Sequence, residues 1–542
     1  MTAILTPERM RAIEHEYMQQ GVSEQELILR AATRIAEFVD NHYPESGRPR
    51  SVLAVAGPGN NGVDALVAAA LLARAGWAAQ AMLVVREAMP DFPAVEEELA
   101  ALSVVEAVSD VDAILDGIFG NSGRTDLPDA ALDAVRQINA ARDSGATVYA
   151  IDCPTGTNTL TGETAEESVR ADLTLCISNP KIGMLKPPAV DNLGDLFVLD
   201  IGLPADEPDE QVNASLIDLA VARQALPRRG SLAHKADVGG VLVVGGAPGY
   251  FGAPRLAGEA ALRMGAGYVG LAVPRSIIGP IASSVPEIIF HPTADGDGRR
   301  SAEAVQEAIN ESRRYGALVI GPGLGRDEVA TALLEALFAH REPEAEEDHP
   351  TSPFGIPRRL PAKEEPQESR FAELPCVIDA DGLNWLSEQE NWPELLRHMT
   401  CVLTPHHGEM ARLLGKEREE VSSDPWETAR AAAREWDQVV VLKGGFTCVA
   451  TPDGELFVAP RAMPELATPG TGDVLSGMIG GLLAQGCSAT DAARAAVYIG
   501  ALAGRDAAGE FGTRSVIARD LIDRLAGVIA GIDSPGWLRR LS

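Results

Sequence analysis

The chain has 542 residues, 46% of them hydrophobic, and a formal net charge of −32. This length predicts at least two domains with sizeable cores, and the negative charge argues against nucleic acid or an anionic membrane surface as a partner. The six cysteines have neither metal-ligand nor redox spacing, no apolar run is long enough to span a bilayer, and the N-terminus is unlike a secretion signal, so we expect a cytoplasmic protein with free thiols.

Strand–helix alternation organises the first part of the chain. A helix is predicted over residues 8–40, and another over 63–75 follows a glycine-rich loop. The predicted strands cover residues 51–56, 80–85, 113–118, 147–151, 173–177 and 196–200. Such alternation is typical of a mostly parallel sheet with helices on both faces, so we assign residues 1–210 to a first α/β domain.

A second alternation begins near residue 240. Its predicted strands cover residues 240–245, 267–273, 317–320, 377–379, 401–403 and 438–442, followed by a hairpin over 447–458. A helix over 474–484 and two further helices complete a second α/β domain, residues 211–542. Residues 340–374 interrupt this domain. They are rich in Glu, Pro and Arg and poor in large apolar residues, which predicts a disordered insertion.

The loop after the strand at 51–56, Gly57-Pro-Gly-Asn-Asn-Gly62, matches the dinucleotide-binding pattern G-x-G-x-x-G. That pattern also expects an acidic residue at the end of the second strand, where this chain has Arg86. The loop alone therefore leaves two interpretations open, an NADP-preferring dehydrogenase and a tight turn that requires glycine.

Acidic residues lie where ligands bind in sheets of this kind. Asp64 lies in the helix after the glycine loop, Asp116 ends the strand segment 113–116, and Asp152 ends the segment 148–152. Because ligands bind at the carboxyl ends of parallel strands, these groups can hold a cation or act as a base. Capping of the following helix is the simpler interpretation of any one of them.

In the second domain, the segment Thr468-Pro-Gly-Thr-Gly-Asp473 precedes an apolar helix. Glycines at the start of a helix direct backbone amides toward one point, which favours an anion such as phosphate. An aspartate there repels phosphate unless it is needed to take a proton from a hydroxyl group that is being phosphorylated. A plain helix cap is the alternative.

Four further loops follow predicted strands, at residues 245–254, 321–325, 404–409 and 443–447. Because the chain has no G-x-x-x-x-G-K-[ST] motif, a nucleotide is not expected to bind in the P-loop manner. Taken singly, His406 and Lys443 have simpler explanations, as a hydrogen-bonded loop histidine and a solvated strand end. It is the ordered set of loops that points to a ligand.

Three motifs of the first domain resemble the NAD(P)H-hydrate epimerase family, namely Gly57–Asp64, Ile151–Gly156 and the segment Ala171–Gly183, with Ala-Asp-Leu-Thr at its start and Asn-Pro-Lys-Ile-Gly at its end. That family has a Rossmann-like domain and interconverts the R and S forms of hydrated NADH or NADPH, called NADHX and NADPHX. The resemblance implies that Asp152 is the catalytic carboxylate. It implies potassium ligands at Asn61, Asp116 and Thr155. The residues that it implies in contact with the hydrate are Asn60, Asn61, Gly62, Val63, Asp64, Gly120, Asn121, Ser122, Gly123, Arg124, Thr125, Asp126 and Asp152.

The first domain also departs from the usual pattern of that family. Val63 and Ala65 stand where the family has glycines, Asn121 and Ser122 replace Thr-Gly, and Thr155 replaces serine. A threonine still offers a hydroxyl oxygen to potassium. The side chains of Val63 and Ala65, in contrast, narrow the space through which the substrate reaches the loop, which glycines would leave open. A non-catalytic binding domain is therefore the alternative to an active epimerase.

The second domain resembles the ADP- or ATP-dependent NAD(P)H-hydrate dehydratases, which have a ribokinase-like fold. The motifs that carry the resemblance occur in the family's order and are His234-Lys235, GGAPGYFGAP, GPGLG, DADGLN, TPHxGE, KGxxT and GTGDVLSG. The residues implied in contact with the S-hydrate are Ala253, Gly323, His406 and Asp473. Those implied to hold the nucleotide are Lys443, Gly444, Gly445, Phe446, Thr447 and Gly472.

Together the resemblances imply two α/β domains, each a three-layer α/β/α sandwich. The implied function is repair, in which the first domain epimerises R- and S-NAD(P)HX. The second domain then dehydrates the S form with ADP (or ATP) and Mg²⁺, giving NAD(P)H, AMP and phosphate. A small-molecule kinase is the alternative, because ribokinase-like folds mostly phosphorylate hydroxyl groups. We expect small-molecule substrates, no nucleic-acid or membrane partner, and a homo-oligomer.

Overall fold

Two compact units make up the protein in a computed structural model. The first unit is built from the chain up to Ala220 together with Leu456–Ala462, and the second from Val221–Glu455 and Met463–Asp533. The structure describes residues 2–43, 50–108, 110–121, 123–204, 209–230, 234–235, 238–312, 314–339 and 370–533.

The first unit is a parallel sheet with helices on both faces. Its strands up to residue 220 are β1 (Thr2–Ile4), β2 (Ser51–Ala56), β3 (Ala78–Leu83), β4 (Ser103–Val104), β5 (Ala113–Gly117), β6 (Thr147–Ile151), β7 (Leu173–Ile177), β8 (Asp195–Leu199) and β9 (Ala214–Leu216). Its helices are α1 (Pro7–Gln19), α2 (Glu24–His42), α3 (Asn60–Arg74), α4 (Glu96–Ala101) and α5 (Asp129–Asp143). Seven strands pair in the order β4-β3-β2-β5-β6-β7-β8, all parallel. Apolar clusters lie on both faces of this sheet, which explains why its central strands are apolar throughout.

The second unit has a longer sheet of the same class. Its strands are β10 (Gly240–Val244), β11 (Tyr268–Pro274), β12 (Ile289–Thr293), β13 (Tyr315–Ile320), β14 (Cys376–Ile378), β15 (Cys401–Leu403), β16 (Val439–Leu442) and β17 (Cys448–Ala450). They follow one another in the order β12-β11-β10-β13-β14-β15-β16-β17, parallel except for the last pair. The helices are α6 (Leu219–Ala225), α7 (Gly252–Arg263), α8 (Ile278–Ala282), α9 (Gly298–Ser312), α10 (Glu328–Phe338), α11 (Asp381–Leu386), α12 (His407–Leu414), α13 (Arg418–Ser423), α14 (Pro425–Trp436), α15 (Thr471–Leu483), α16 (Ala489–Phe511) and α17 (Ala518–Asp533).

One late strand, β18 (Leu456–Val458), belongs to the first unit. It runs parallel to β9, with Leu456 opposite Ala214, and β9 pairs with β1 in the antiparallel direction. The first unit thus takes a segment from a part of the sequence that we had assigned to the second domain. A turn at Gly454 lies between β17 and β18, where the sequence predicted a hairpin loop.

The predicted α/β class is confirmed for both units, but two predictions about local structure were wrong. The single helix over 8–40 is divided into α1 and α2, because Gly21 adopts a φ of +104° and Ser23 caps α2 by accepting a hydrogen bond from the Glu26 amide. The predicted disordered insertion extended too far, because Phe371 and Leu374 are buried. Residues 340–369 lie outside the described part of the chain.

No helix among the described residues combines the length and the apolar character that a bilayer crossing requires.

Candidate functional sites

In the second unit, loops at the carboxyl ends of β14, β15 and β16 meet the start of α15 around a cavity of about 630 Å³. Gly470 caps α15 with a φ of +91°, a conformation that glycine adopts without strain. The side chains in the cavity wall that carry charge or hydrogen-bonding capacity are those of Asp379, His406, Lys443, Thr447, Thr468, Thr471 and Asp473. Backbone amides at a helix start and one lysine thus face the same space, an arrangement that favours phosphate.

Lys443 is held by two buried carboxylates. Its Nζ lies 2.8 Å from Asp379 Oδ1 and 3.9 Å from Glu409 Oε2. Burial lowers the pKa of Lys443, but the charges of Asp379 and Glu409 outweigh burial and raise it above its ordinary value. The lysine therefore remains a cation at neutral pH.

Asp473 lies in the first turn of α15 and has an unusual affinity for protons. Its pKa is raised to about 7, mainly because burial disfavours the charged form and also because Asp379 is negative, whereas Lys443 acts in the opposite direction. A carboxyl group with a pKa near the working pH is well suited to accept a proton during a reaction.

His406 is fixed as a helix cap. Its Nδ1 accepts hydrogen bonds from the amides of Gly408 at 2.9 Å and Glu409 at 3.1 Å, and Glu409 Oε2 accepts one from the His406 amide at 2.8 Å. Burial and the charge of Lys443 lower the pKa of His406 to about 4, so the ring is neutral. Because Nδ1 accepts, Nε2 carries the hydrogen and offers a donor.

Three other predicted residues lie outside this cavity wall. An added Cβ on Gly323 would lie 3.0 Å from Ala253 Cβ, so these two residues are neighbours. Gly444 and Gly445 line the cavity, whereas Phe446 does not. The structure thus brings Asp473, His406 and Lys443 together at one cavity, and the Ala253–Gly323 pair is not part of its wall.

In the first unit, Asp152 and Lys181 form a buried ion pair. The Lys181 Nζ lies 2.5 Å from Asp152 Oδ1, and the amide of Ile177 donates to the same oxygen at 3.1 Å. Burial opposes the charge on Lys181, yet Asp152 raises the lysine pKa above its ordinary value. Asp152 itself adopts a φ of +63°, a strained conformation for a residue other than glycine and one that is common at functional sites.

Two further carboxyl groups act on this ion pair. Asp64 is buried, and among the described residues its Oδ1 has no hydrogen-bond partner. Burial raises its pKa well above the ordinary value, and the charges of Asp152 and Glu14 add to the rise. Burial also raises the pKa of Glu14, against the influence of Lys181.

Two of the three predicted potassium ligands, Asp116 and Thr155, are hydrogen-bonded to each other. Asp116 is fully buried, and its carboxylate accepts hydrogen bonds from the hydroxyl of Thr155 at 2.7 Å and from the amide of the same residue at 2.8 Å. Burial raises the Asp116 pKa to about 6. An added Cβ on Gly120 would lie 2.8 Å from the Asn61 side chain, so the glycine makes room for that amide.

Three of the other residues of the first unit that were predicted to contact the hydrate each have a separate partner. Asn60 donates to Glu24 at 2.7 Å, Asn121 accepts from Thr159 at 3.2 Å, and Arg124 lies over the Phe119 ring. The amides of Gly62 and Val63 donate to the Gly59 carbonyl at 3.1 and 3.4 Å, and Ser122 lies outside the described residues.

Arg86 braces the glycine loop from outside. Its Nε donates to the Gly57 carbonyl at 2.7 Å, and its Nη2 donates to the carbonyls of Pro58 and Gly59 at 3.4 and 3.2 Å. The guanidinium of Arg86 therefore binds the backbone of the glycine loop. These hydrogen bonds explain why an arginine is present here without recognition of an NADP phosphate.

Sequence reasoning missed Asp379, Lys181 and Glu14 as site residues. Asp379 directly follows a strand, the same signal that identified Asp152, and could have been found in that way. Lys181 was part of a recognised motif but carried no separate signal. Glu14 is one of several acidic residues on α1, and only its position in the fold distinguishes it.

Gly321 should not tolerate a side chain, and a stability measurement tests this. Its φ is +117°, and an added Cβ would lie 1.9 Å from the backbone oxygen of Asp379. Gly321→Ala is expected to lower the free energy of unfolding by about 3 kcal/mol or more, measured by urea denaturation. Gly279→Ala is the control, since its Cβ would meet no atom within 4 Å. Equal stability of the two variants would contradict the prediction.

Two family models match the chain. One, described as NAD(P)H-hydrate dehydratase, matches residues 241–345 and 358–526. The other, described as YjeF-related protein N-terminus, matches residues 24–183. The two matches fall in the two parts of the sequence whose motifs suggested a dehydratase and an epimerase.

The chain is also similar to whole proteins. The bifunctional NAD(P)H-hydrate repair enzyme of Moorella thermoacetica is 32% identical over 96% of this chain and 95% of its own length, and that of Coxiella burnetii is 32% identical over 97% and 99%. Among solved structures, an ADP/ATP-dependent NAD(P)H-hydrate dehydratase from Bacillus subtilis, co-crystallised with ATP and Mg²⁺, is 26% identical over 58% of this chain and 98% of its own, with a TM-score of 0.47. Because the relatives match over nearly their full length, the chain belongs to the family of bifunctional NAD(P)H-hydrate repair enzymes.

Proposed function

We propose that the protein restores NADH and NADPH from their hydrates, by epimerisation in the first unit and by ADP-dependent dehydration in the second. The observation that carries this proposal is Asp473, a carboxyl group whose pKa is raised to about 7 and which faces a cavity shared with Lys443 and the amides at the start of α15. The cavity volume of about 630 Å³ is in the range of small-molecule sites.

The chemistry explains why a base and a phosphate site belong together. The hydrate carries a hydroxyl group on a saturated ring carbon next to nitrogen, and hydroxide leaves poorly. Asp473 takes the hydroxyl proton while the oxygen attacks the terminal phosphorus of ADP, which forms a phosphate ester and releases AMP. The lone pair of the ring nitrogen then expels phosphate, and loss of a proton from the neighbouring carbon restores the double bond of the dihydropyridine.

Each of the other groups at the site has a part in this reaction. Lys443 and the amides at the start of α15 stabilise negative charge on the phosphoryl group as it is transferred. The neutral His406 can donate a hydrogen bond from Nε2 without adding a charge. We propose ADP rather than ATP as the nucleotide, because this chain has the fused epimerase–dehydratase arrangement, for which the family resemblance implies ADP.

The acidic residues beside Lys443 are suitable for Mg²⁺. Among the described residues, no cluster of three or more histidine, cysteine or acidic side chains could hold a metal by itself. Mg²⁺ requires only one or two carboxylates when substrate phosphates and water complete its coordination. We assign this role to Glu409 and Asp379, and the metal would neutralise phosphate charge.

In the first unit we assign epimerisation to Asp152 and a potassium ion to Asn61, Asp116 and Thr155. The oxygens of Asp116 and Thr155 lie 2.7 Å apart, and the buried Nδ2 of Asn61 has no hydrogen-bond partner among the described residues. With that amide turned round, Asn61 would offer an oxygen too, so that all three residues would supply the oxygen ligands that K⁺ prefers. The ion would hold the loops that carry Asn61 and Thr155 together.

A single substitution in the first unit should separate the two activities. In a mixture of R- and S-hydrates with ADP and Mg²⁺, Asp152→Asn is expected to restore dihydronicotinamide absorbance only from the S form, so that recovery stops at the S fraction except for slow spontaneous epimerisation. The wild type should continue to full recovery, because it converts R into S.

The same assay tests the whole proposal. Accumulation of a stable phosphate ester without recovery of absorbance would identify a kinase and overturn the dehydratase assignment. Equal final recovery and equal rates for wild type and Asp152→Asn would contradict the epimerase role of Asp152. Asp191→Asn serves as the control, because Asp191 is an aspartate of the same unit that is not in the cluster around Lys181.

A further inference from the structure

We infer that Asp64 is the proton donor of the epimerase and that Glu14 is a positioning residue that keeps the proton on Asp64. This inference rests on the proposed epimerase function and extends it, since the family resemblance implied only contact with the hydrate for Asp64 and nothing for Glu14. It names a second acid–base group in addition to Asp152.

Charge balance is the first argument. Three carboxyl groups, those of Glu14, Asp64 and Asp152, act on one another, and two cations act on this group: Lys181 on Asp152 and Glu14, and Arg11 on Glu14. Lys181 forms its ion pair with Asp152, with 2.5 Å between Nζ and Oδ1. Neither cation acts on Asp64, so a buried carboxylate at this position would have no positive charge to balance it, and the group keeps its proton.

The contacts of Asp64 identify it as the protonated group. Its side chain is 6% exposed, and its Oδ1 has no hydrogen-bond partner among the described residues. The charged groups that act on it, Asp152 from the end of β6 and Glu14 from α1, are both acidic. Those that act on Glu14 are Lys181, Asp152, Arg11 and Glu24, so Glu14 has cations near it that Asp64 lacks.

Epimerisation needs one group that gives a proton and one that takes a proton. The proton of Asp64 passes to the hydroxyl oxygen of the hydrate, the carbon–oxygen bond breaks, and the lone pair of the ring nitrogen forms a carbon–nitrogen double bond. Water then adds to the opposite face, its extra proton passes to Asp152, and the electron pair returns to nitrogen. One water leaves and one enters, so the substrate is unchanged except at the epimerised carbon. Proton exchange with solvent restores both carboxyl groups.

The pH dependence of the full-length enzyme distinguishes this role from a structural one. The reaction needs Asp64 protonated, so kcat/KM for epimerisation should fall as the pH rises through the Asp64 pKa. Glu14→Gln removes one negative charge near Asp64 and lowers that pKa, so the alkaline limb should move toward lower pH. Glu14→Asp should restore the wild-type profile. Glu8→Gln, an exposed residue on the same helix, should leave it unchanged.

Asp64→Asn is expected to lower the epimerisation kcat by about 10² or more with little change in KM, and to leave dehydration of the purified S-hydrate intact. Infrared difference spectra should also show a protonated carboxyl at neutral pH that disappears in Asp64→Asn, a measurement that does not depend on activity. A Glu14→Gln profile that coincides with that of the wild type, or the absence of the carboxyl band, would overturn the inference. If the wild type itself does not epimerise the hydrate, the proposed function fails first.

Discussion

Asp473→Asn is expected to lower the kcat of dehydration by a factor of roughly 10² or more, because asparagine cannot take the hydroxyl proton. Nucleotide binding should survive, since Lys443 and the glycine amides are unchanged. The rate of recovery of dihydronicotinamide absorbance from the S-hydrate, with ADP and Mg²⁺ present, measures the loss. Epimerisation in the first unit should be unaffected.

The wild-type enzyme should show the corresponding pH dependence. The base is active only when ionised, and its pKa is raised to about 7. The kcat/KM for dehydration should therefore rise as the pH increases through about 7 and level off above it. Asp523→Asn is the control, because Asp523 is exposed on α17. A rate that does not change between pH 6 and 8, together with full activity in Asp473→Asn, would exclude Asp473 as the base.

Lys443→Met is expected to affect both stability and activity. Asp379 is 1% exposed, and the substitution leaves this buried carboxylate without its cation at 2.8 Å. Removal of one partner from a buried ion pair costs about 3–5 kcal/mol, so the free energy of unfolding in urea should fall by that amount. Phosphoryl transfer should be lost, because a cation that stabilises the transferred group is gone.

A second substitution separates the two effects of Lys443→Met. In Asp379→Asn/Lys443→Met the buried carboxylate is gone as well, so most of the lost stability should return while activity stays absent. Lys416→Met, at an exposed lysine of the same unit, should change neither property. If the single and double variants unfold at the same urea concentration, the ion pair does not stabilise the second unit in the way we describe.

Much of the second site was predictable from the sequence. Because parallel strands end at one edge of a sheet, the loops that carry His406 and Lys443 had to approach each other, and the glycines before Asp473 indicated a helix start suited to phosphate. What was not predictable is the partner of Lys443. Asp379 lies 64 residues earlier in the chain, and no local pattern reports a pairing at that distance.

The first unit shows a different limit. Asp116 and Asp152 could be placed at strand ends from the sequence, but Glu14 could not be distinguished from other acidic residues on its helix. Strands β1, β9 and β18 have only three residues each, too few for an alternating pattern to be visible. The break at Gly21 was missed because the apolar spacing continues through it.

The assignment of Leu456–Ala462 to the first unit has a consequence for biosynthesis. When the chain emerges from the ribosome, the strand pair of β1 and β9 cannot receive β18 until Val221–Glu455 of the second unit has been synthesised. A shortened protein that stops near residue 210 lacks that strand and also Ala214–Leu216, which leaves β1 without its neighbour. Tests of epimerisation should therefore use the intact polypeptide. If the fragment were inactive, the cause would be the loss of β9 and β18 and not a defect in the catalytic residues.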